Sequence, residues 1–573
     1  MPSRANHRLT YSTSLLALVL AAPAAFAGAV VPPAATQQTD EIARQRAPVL
    51  PLPSTPDFGL RLQAPERSAV PKAVDDLSFT VTAVRVEGST LFGQDEIDRI
   101  FATAIGPAVT LSALRDAAQG LEDLYRERGY FLTRVFLPPQ QVKDGTFQVQ
   151  VIEGFLSAVF IDGAPSETLR RRIEAIAQPL VGKRPIDLKS IERALLTIND
   201  LPGVLGTSLL RQGAELGASE IVVSVSSLPD SHILTMNNTG PNTVGPLSVG
   251  INSTFNNPFN RVGSLALGLT GAGDLEQFDE LQAINARYSM PLGSTGMIFS
   301  LGGLGSHAKP GASIRALGVE AVSWSVSPRL RMPLLRTRPN SLFLDMGVAV
   351  NRSRTTLADD LLTFDKTTVG EMSLSWLQNG WGNGTTTATV SAFHALPVLS
   401  RSRSGEATVT VPDFDDRFFK LTWNLSRIQQ TPWSRVSLLG QVVGQWTNDK
   451  LPSGELSAFG GVLIGKGFDG GSITGDKGLG GLLEVRYNSN VKWEPYIGNV
   501  QFYAFVDGAV TKTLRSENVE AATRNLHSTG LGARFAVGSR GFLDLQVANA
   551  DKPFPGADQR HNPRFLFSGV VRF

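Results

Sequence analysis

The chain of 573 residues contains no cysteine and only six histidines, so residue types that often build metal and redox sites are scarce. Without cysteine there are no disulfides and no thiolate ligands for a metal. The histidines are scattered through the sequence, and none forms an HExxH pair. The sequence also lacks a GxSxG elbow and a Walker loop. We therefore expect no catalytic residues, no metal and no cofactor.

Long hydrophobic runs and an excess of one charge are also absent. The net charge is +2 and no long basic run is present, which argues against a nucleic-acid partner. No stretch reaches the roughly 18 apolar residues that a membrane helix needs. The mean hydropathy is nevertheless close to zero. Strands with one apolar and one polar face would give this combination.

Such strands are indicated by a two-residue period that recurs through residues 229–573. Apolar and polar or small side chains take turns in four segments: 342–351, 371–376, 419–426 and 543–548. Because successive side chains of a strand point to opposite faces, each segment has one apolar and one polar face. We interpret the region as a transmembrane antiparallel β-barrel, with its apolar face toward lipid and its polar face lining a lumen.

A water-soluble β-sandwich or barrel shows the same alternation with the apolar face turned inward. The length of the region and its lack of helix-period segments favour the membrane. Aromatic residues also stand near segment ends, where a lipid–water boundary would hold them: Tyr288, Trp324, Trp433, Trp446 and Phe573. At roughly 20 residues per strand and connection, we expect about 16 strands.

The N-terminus predicts export. Residues 1–27 resemble a signal peptide, with Arg4 and Arg8 before a short apolar run and small residues at Ala25 and Ala27. Residues 28–46 include a short polar segment of helix-compatible composition, and residues 47–76 form a linker with six prolines. A short helix on a long tether suits a movable plug, and a disordered N-terminus fits the same residues.

Two small α+β modules are predicted between this linker and the barrel, at residues 77–154 and 155–227. Each combines strands with two amphipathic helices, at 95–104 and 111–128 in the first and at 166–177 and 188–196 in the second. A sheet with helices on one face leaves an edge strand free to pair with an extended peptide. The modules could equally be rigid spacers.

Several motifs carry a specific resemblance. YRERGYFLTRVFLPPQ (125–140) with FQVQVIEG (147–154) and LLTINDLPGV (195–204) with GASEIVVSV (217–225) resemble the two polypeptide-transport-associated (POTRA) domains of two-partner-secretion transporters. NNTG (237–240), NNPFNRVG (256–263) and RYSMPLG (287–293) resemble the opening barrel strands of the same haemolysin secretion/activation family. The resemblance covers nearly all of the mature chain. It implies a plug helix, a linker, two POTRA domains and a 16-stranded barrel.

The same resemblance gives a functional interpretation of the glycine-rich stretch at residues 460–481. Its GxGxxG match is not surrounded by a βαβ unit, so a dinucleotide site is rejected. In the family, a long loop folds back into the barrel and carries a basic–Gly–aromatic motif, which Lys466, Gly467 and Phe468 match with lysine in place of arginine. Its partner on an inner barrel strand matches Phe505 and Asp507, and the facing charges would hold the loop in the pore. On residues alone, a glycine-rich surface loop explains the stretch as well.

The resemblance implies an outer-membrane translocase that binds an unfolded exoprotein in the periplasm and secretes it through its barrel. The partners expected are a large β-helical adhesin or haemolysin-like exoprotein, the outer-membrane lipids, and the barrel-assembly machinery, which would recognise the terminal strand ending at Phe573. A last β-strand explains Phe573 equally well. The alternatives are a barrel-assembly insertase, a passive diffusion porin and, more distantly, an envelope hydrolase.

Overall fold

A computed structural model describes residues 61–62, 77–275, 278–399, 401–489, 491, 497–514, 521–551 and 562–573. The predicted signal peptide (1–27) and plug helix (28–46) lie outside the described residues. Of the predicted linker (47–76), only residues 61 and 62 are described, and they form the short strand β1 (Arg61–Leu62).

The first module packs two helices against short strands. Its helices are α1 (Gln94–Phe101) and α2 (Leu111–Glu127), and the apolar face of α2 contributes Leu114, Leu121 and Tyr125 to the core. The strands are β2 (Ser78–Val81), β3 (Ala83–Glu87), β4 (Gly106–Thr110), β5 (Arg134–Phe136) and β6 (Thr146–Ile152). β6 lies between β3 and β5, while β2 pairs with β4. The sequence pattern did not predict β4.

The second module repeats this plan with a sheet ordered β1-β8-β9-β7. Its strands are β7 (Phe155–Asp162), β8 (Val204–Gln212) and β9 (Ala218–Ser227), and its helices are α3 (Glu167–Ala177) and α4 (Leu188–Asn199). The two helices cover one face of the sheet, because their apolar residues share a core with Leu156, Leu210 and Ile221. The opposite face is open, with Phe160, Leu205 and Leu209 exposed.

Sixteen antiparallel strands close into a barrel, which confirms the predicted mainly β architecture and strand number. In ring order the strands are β10 (Ser231–Asn237), β11 (Leu247–Asn256), β12 (Ser264–Gly273), β13 (Leu281–Leu292), β14 (Met297–Ala308), β15 (Val319–Arg336), β16 (Asn340–Leu357), β17 (Asp360–Asn379), β18 (Gly384–Ala395), β19 (Phe419–Gln430), β20 (Val436–Thr447), β23 (Lys477–Asn488), β24 (Ile497–Thr513), β25 (Ala522–Val537), β26 (Gly541–Ala550) and β27 (Arg564–Arg572). The first and last strands, β10 and β27, pair with each other and close the ring.

The orientation of the side chains follows the predicted alternation. On β17, Met372 and Leu374 are 53% and 44% exposed on the outer face, whereas Ser373 and Ser375 on the inner face are 4% and 6% exposed. The inner residues are covered by one another through hydrogen bonds such as that from Ser373 Oγ to Ser391 Oγ. The barrel therefore presents an apolar outside and a polar, hydrogen-bonded inside.

Among the described residues, no helix is both long enough and apolar enough to cross a membrane.

The second module is docked on one end of the barrel. The Arg172 guanidinium donates to the carbonyl oxygen of Gly293 at 2.6 Å, and the Asn257 amide donates to the carbonyl oxygen of Gly203 at 3.1 Å. Gly293 and Asn257 both lie in short turns between barrel strands. The longer connections, including residues 396–418 and 448–476, therefore lie at the opposite end.

Candidate functional site

The connection between β20 and β23 (448–476) folds back into the barrel and forms a hairpin there. Two short strands, β21 (Ser457–Phe459) and β22 (Ile473–Gly475), pair antiparallel at its base. Phe459, Ile464 and Phe468 are buried against side chains of the inner barrel wall. We call residues 457–475 the lumen hairpin.

Glycine is required at the tip of the lumen hairpin. Gly460 and Gly465 have φ values of +117° and +87°, which side chains with a Cβ rarely adopt. A Cβ on Gly467 would lie 2.8 Å from the backbone nitrogen of Ala550, so the hairpin can approach the wall closely only because this residue is glycine. The glycine-rich composition thus serves a tight fit inside the barrel.

Asp507, on β24, holds the backbone of the hairpin tip. Its carboxylate accepts hydrogen bonds from the N–H groups of Gly465 at 2.9 Å and Lys466 at 3.3 Å. The hydroxyl of Ser528 on β25 donates to the same carboxylate. Asp507 is 3% exposed and therefore faces the interior of the barrel. Phe505, two residues earlier, faces the same way and lies under the Lys466 side chain.

The Lys466 ammonium occupies a different place from the one expected. Its nitrogen lies 3.6 Å from Glu484 Oε2 on β23 and 4.2 Å from the centroid of the Phe505 ring. The sequence predicted that the charges of Lys466 and Asp507 face each other, whereas the described contact with Asp507 runs through the lysine backbone. Because Asp507 holds the backbone at Gly465 and Lys466, the lysine side chain extends past it over the Phe505 ring toward Glu484.

Glu484 is the centre of a buried charge cluster. Arg534 on β25 donates to both of its oxygens, at 2.6 and 3.1 Å, and Arg486 Nε donates at 2.6 Å. Arg534 also pairs with Asp544 at 3.2 Å. We call Lys466, Glu484, Arg486, Asp507, Arg534 and Asp544 the charge cluster; its three cations match its three carboxylates.

Tyr503 packs against the charge cluster and hydrogen-bonds to it. Its hydroxyl donates to Asp544 Oδ1 at 2.6 Å, and the Arg534 guanidinium lies 3.9 Å from the centroid of its ring. Sequence reasoning found Lys466, Phe505 and Asp507 but missed Glu484, Arg534 and Tyr503. A signal existed, because these residues occupy inward positions of β23, β24 and β25, the strands that carry or flank Phe505 and Asp507.

A second anchor ties the hairpin to the last strand. Arg564, at the start of β27, pairs with Asp469 at 2.8 Å and donates to the carbonyl oxygen of Phe468. The hairpin is therefore held to β23, β24 and β25 through the charge cluster and to β27 through Arg564. In this arrangement it occupies the lumen at the level of these contacts.

Phe573, proposed from the sequence as an assembly signal, lies beside the first barrel strand. Its N–H donates to the carbonyl oxygen of His232 at 3.0 Å, and its ring stacks on the His232 ring with 5.7 Å between centroids. The side chain is 55% exposed. It is therefore accessible at the seam where β10 meets β27.

An edge of the second module is engaged by the chain itself. β1 pairs in parallel with β8, so that Arg61 is opposite Leu209 and Leu62 is opposite Leu210. The edge of this sheet thus accepts a short extended segment through its backbone groups. Exposed apolar side chains on the open face of β8, Leu205 and Leu209, lie beside it, and Phe160 lies on the same face at the far strand β7.

Comparisons with known proteins agree with this architecture. The family model described as "Haemolysin secretion/activation protein ShlB/FhaC/HecB" matches residues 217–535, and the model of the ShlB-type POTRA domain matches residues 79–154. The chain is 24% identical over 505 residues to the heme/hemopexin transporter protein HuxB of Haemophilus influenzae (strain 86-028NP), covering 83% of this chain and 86% of that protein. It is 25% identical over 486 residues to the outer membrane transporter CdiB of Escherichia coli, covering 82% and 78% respectively.

Solved structures show the same fold. CdiB from Escherichia coli matches with a TM-score of 0.70 at 20% identity, covering 93% of this chain and 95% of that one. CdiB from Acinetobacter baumannii matches with a TM-score of 0.62 at 15% identity, covering 90% and 95%. The barrel and the modules that precede it are therefore a known arrangement.

Proposed function

This chain belongs to the haemolysin secretion/activation family of outer-membrane transporters, and we propose that it passes its exoprotein through the lumen after displacing the lumen hairpin. It is a two-partner secretion transporter of the outer membrane, with its POTRA domains in the periplasm. Such a transporter works with a secreted exoprotein. The proposal concerns how that exoprotein is captured and released, and which residues control its passage.

Capture takes place at the edge of the second module. An unfolded chain offers backbone N–H and C=O groups at a strand's spacing, and strand addition satisfies them without requiring a defined sequence. The pairing of β1 with β8 supports this proposal, because it places an extended segment on the same edge. The exposed side chains of Phe160, Leu205 and Leu209 give an incoming chain an apolar surface to cover.

Passage of the exoprotein requires the lumen hairpin to move away from the inner wall of the barrel. The hairpin fills space between strands of the inner wall, and the charge cluster holds it there through Lys466 and Asp507. Separating Lys466 from Glu484 leaves Glu484 paired with Arg534 and Arg486, so Glu484 stays compensated when the hairpin moves. Asp507 loses the two N–H groups of the hairpin and keeps the hydrogen bond from Ser528, so its carboxylate favours the return of the hairpin.

This function rests on two contacts that hold the hairpin tip. The backbone N–H groups of the tip donate to the Asp507 carboxylate, and the Lys466 side chain pairs with Glu484. Lys466→Ala and Asp507→Ala are expected to disturb secretion while the barrel still assembles in the outer membrane. The readout is the amount of exoprotein in the medium, together with heat-modifiable mobility of the barrel as the control for assembly. Normal secretion and unchanged conductance in both variants would contradict this proposal.

The exoprotein is proposed to be a large β-helical adhesin or a haemolysin-like protein. The energy for export then comes from its folding outside the cell, so the transporter needs no catalysis and no cofactor. Residues 28–46 are proposed as a plug and 47–76 as its tether, followed by POTRA domains at 77–154 and 155–227 and the barrel at 228–573. Phe573 is proposed as the signal read by the barrel-assembly machinery.

A further inference from the structure

Near the distal end of β16, the side chains on its outer face change from apolar to basic. Its outward residues are Leu342, Leu344, Met346, Val348 and Val350, followed by Arg352 and Arg354. An apolar stretch of this length matches the roughly 9–11 residues with which a tilted strand crosses the hydrocarbon core. Because β16 begins at the POTRA end, the two arginines lie where the outer leaflet meets the extracellular side. We call this the outer rim of β16.

Cations on neighbouring strands are placed side by side at this rim. Arg352 is directly opposite Lys366 of β17 in the strand register, so both side chains leave the sheet on the outer face. Like charges directly opposite each other destabilise a strand pair. An anion between them removes the repulsion and converts both cations into binding groups.

Aromatic side chains support the cations. The Arg352 guanidinium lies 5.7 Å from the ring centroid of Trp324, and the Lys366 ammonium lies 4.5 Å from that of Phe364. Trp324 is exposed on the outer face of β15, in the register position opposite Arg352. Aromatic residues of this kind locate the lipid–water boundary, which places Arg352, Arg354 and Lys366 at headgroup height.

The carboxylates nearby leave Arg354 and Lys366 available. Within the described part of the chain, neither Arg354 nor Lys366 forms an ion pair. Glu320, which stands on the same face of β15, is held by His307 and lies 3.8 Å from Lys309. The rim is therefore positive at Arg352, Arg354 and Lys366.

An apolar groove lies below this rim on the same side of the barrel. It has a volume of about 550 Å³, with Gly370 and Ala392 at its floor and Met346, Met372, His394 and Phe419 among its walls. All six occupy outward positions in the strand register. Gly370 is four residues from Lys366 along β17, or roughly 13 Å, in the part of the hydrocarbon layer that belongs to the outer leaflet.

We propose that this rim and groove bind a phosphorylated, multiply acylated glycolipid of the outer leaflet, that is, lipid A chemistry. Arg354 and Lys366 take a phosphate group, since guanidinium and ammonium groups make strong charge-assisted bonds to phosphate oxygens. An acyl chain of the same molecule lies over Ala392, beside the Leu396 side chain that covers the outer side of Gly370. The vertical separation of cations and groove fits one lipid whose headgroup and chains are covalently joined.

The chain offers a matched control for charge alone. Lys477 and Lys512 also stand opposite each other, on β23 and β24, and Lys477 lies 5.7 Å from the ring centroid of Trp446. Below them the outward residues Leu479 and Val510 are exposed and bulky, whereas Gly370 and Ala392 leave a groove. The proposal assigns lipid A to the first cation pair and not to this one.

The test measures lipid A retained by the purified full chain in detergent, using native mass spectrometry with added bis-phosphorylated lipid A. Arg354→Gln combined with Lys366→Gln is expected to weaken binding roughly tenfold or more, because each cation near a membrane surface contributes measurably to anionic lipid binding. Lys477→Gln combined with Lys512→Gln should leave binding within about twofold of wild type. Lipid A without phosphates should bind wild type as weakly as the first double variant binds intact lipid A.

Two further arms identify the source of the phosphate and the role of the groove. Phosphatidylglycerol, which also carries a phosphate, should bind more weakly than lipid A, and Ala392→Phe should reduce lipid A binding without changing the charge. Equal loss in the two double variants would overturn the site, since it would reduce the effect to overall charge. Unchanged binding in Arg354→Gln/Lys366→Gln, or equal binding of phosphatidylglycerol, would overturn it as well.

Discussion

Asp200 and Arg336 join the second POTRA domain to the barrel by a two-pronged ion pair. Arg336 Nη2 donates to Asp200 Oδ1 at 2.7 Å and Nε donates to Oδ2 at 2.8 Å, and the arginine is 2% exposed. Ser341 accepts a further hydrogen bond from Arg336 Nη1 at 2.9 Å. Because Asp200 follows α4 and Arg336 ends β15, the pair transmits the position of the capture domain to the barrel wall.

Removing one partner of this pair should loosen the domain without unfolding the barrel. Arg336→Ala leaves the Asp200 carboxylate buried and unpaired, which costs about 3–5 kcal/mol, and undocking of the domain relieves that cost. Arg336→Lys keeps the charge but loses the planar two-pronged contact, so its effect should be intermediate. Hydrogen exchange of α4 and of the turn at residues 337–339 in the full chain measures the undocking.

Arg338→Ala is the matched control for that experiment. Arg338 lies 3.6 Å from Glu192 and its side chain is 40% exposed, so the pair contributes about 0–1 kcal/mol. Faster exchange in Arg338→Ala than in Arg336→Ala would contradict the conclusion that Arg336 is the main contact between the second POTRA domain and the barrel.

The charge cluster predicts an order among three variants. Glu484→Gln should weaken the hold on the lumen hairpin most, because Lys466, Arg486 and Arg534 all lose a carboxylate at once, at a cost of about 3–5 kcal/mol. Lys466→Met should act less, since Glu484 keeps both arginines. Lys466→Arg should act least, because it keeps the charge. The measurement is the open-channel conductance in planar bilayers, which should be raised most in Glu484→Gln, less in Lys466→Met and least in Lys466→Arg.

An equal conductance in the Glu484→Gln and wild-type channels would show that the cluster does not hold the hairpin. Secretion measured in the same variants separates a loosened hairpin from a misassembled barrel, because only the latter also removes heat-modifiable mobility.

The N-terminus of α4 predicts a specific dependence on pH. Burial raises the pKa of Asp187, but hydrogen bonds from Lys183 and Ser190 outweigh it and lower the pKa from 3.8 to about 2. A carboxylate with a lowered folded-state pKa adds stability above its unfolded-state pKa, and this stability is lost as the pH falls. The protection factors of the α4 amides, which correct for the intrinsic pH dependence of exchange, should therefore fall between about pH 4 and 2.

Asp187→Asn is the control for the pH experiment, because asparagine also caps a helix but does not titrate in this range. The pH dependence should be reduced in the Asn variant, while Asp187→Ala should destabilise α4 by about 1 kcal/mol at neutral pH. The same fall in protection in Asp187→Asn and wild type would assign the effect to another group.

Competition at the edge of β8 makes a further prediction. If the exoprotein adds to the edge that β1 occupies, replacing Arg61 and Leu62 by two prolines should increase binding of an extended exoprotein segment. Proline removes the N–H groups with which β1 pairs. The binding is measured by fluorescence anisotropy of a labelled segment on the full chain. A replacement at residues 50 and 52 is the control, and a lower affinity in the double-proline variant would contradict the competition.

The sequence revealed the barrel because the same alternation of apolar and polar side chains recurs in several segments, and each segment reports it independently. Lys466 and Asp507 could be found because they stand in short motifs. Glu484, Arg534 and Asp544 could not be found this way, because each is a single charge on the polar face of a strand, where charges are common. Their importance comes from register, which brings Glu484 opposite Phe505 and beside Arg534.

Strand β8 and the small strand β4 were missed for a related reason. β8 alternates Gly206, Ser208 and Leu210 on its buried side, so its apolar content is low even though the strand is central to the module. β4 has the sequence GPAVT, which combines a proline and a glycine that usually indicate a turn. Pairing with neighbouring strands overrides these local preferences.

Passage of the exoprotein through the lumen is tested most directly by single cysteines on adjacent residues of β17, since the natural chain has none. Ser375→Cys faces the interior and Leu374→Cys faces the lipid at nearly the same height. An exoprotein arrested during export, and carrying its own cysteine, is crosslinked with a short bifunctional reagent. The account predicts crosslinks to Cys at 375 and none at 374; crosslinks at 374 alone would contradict it.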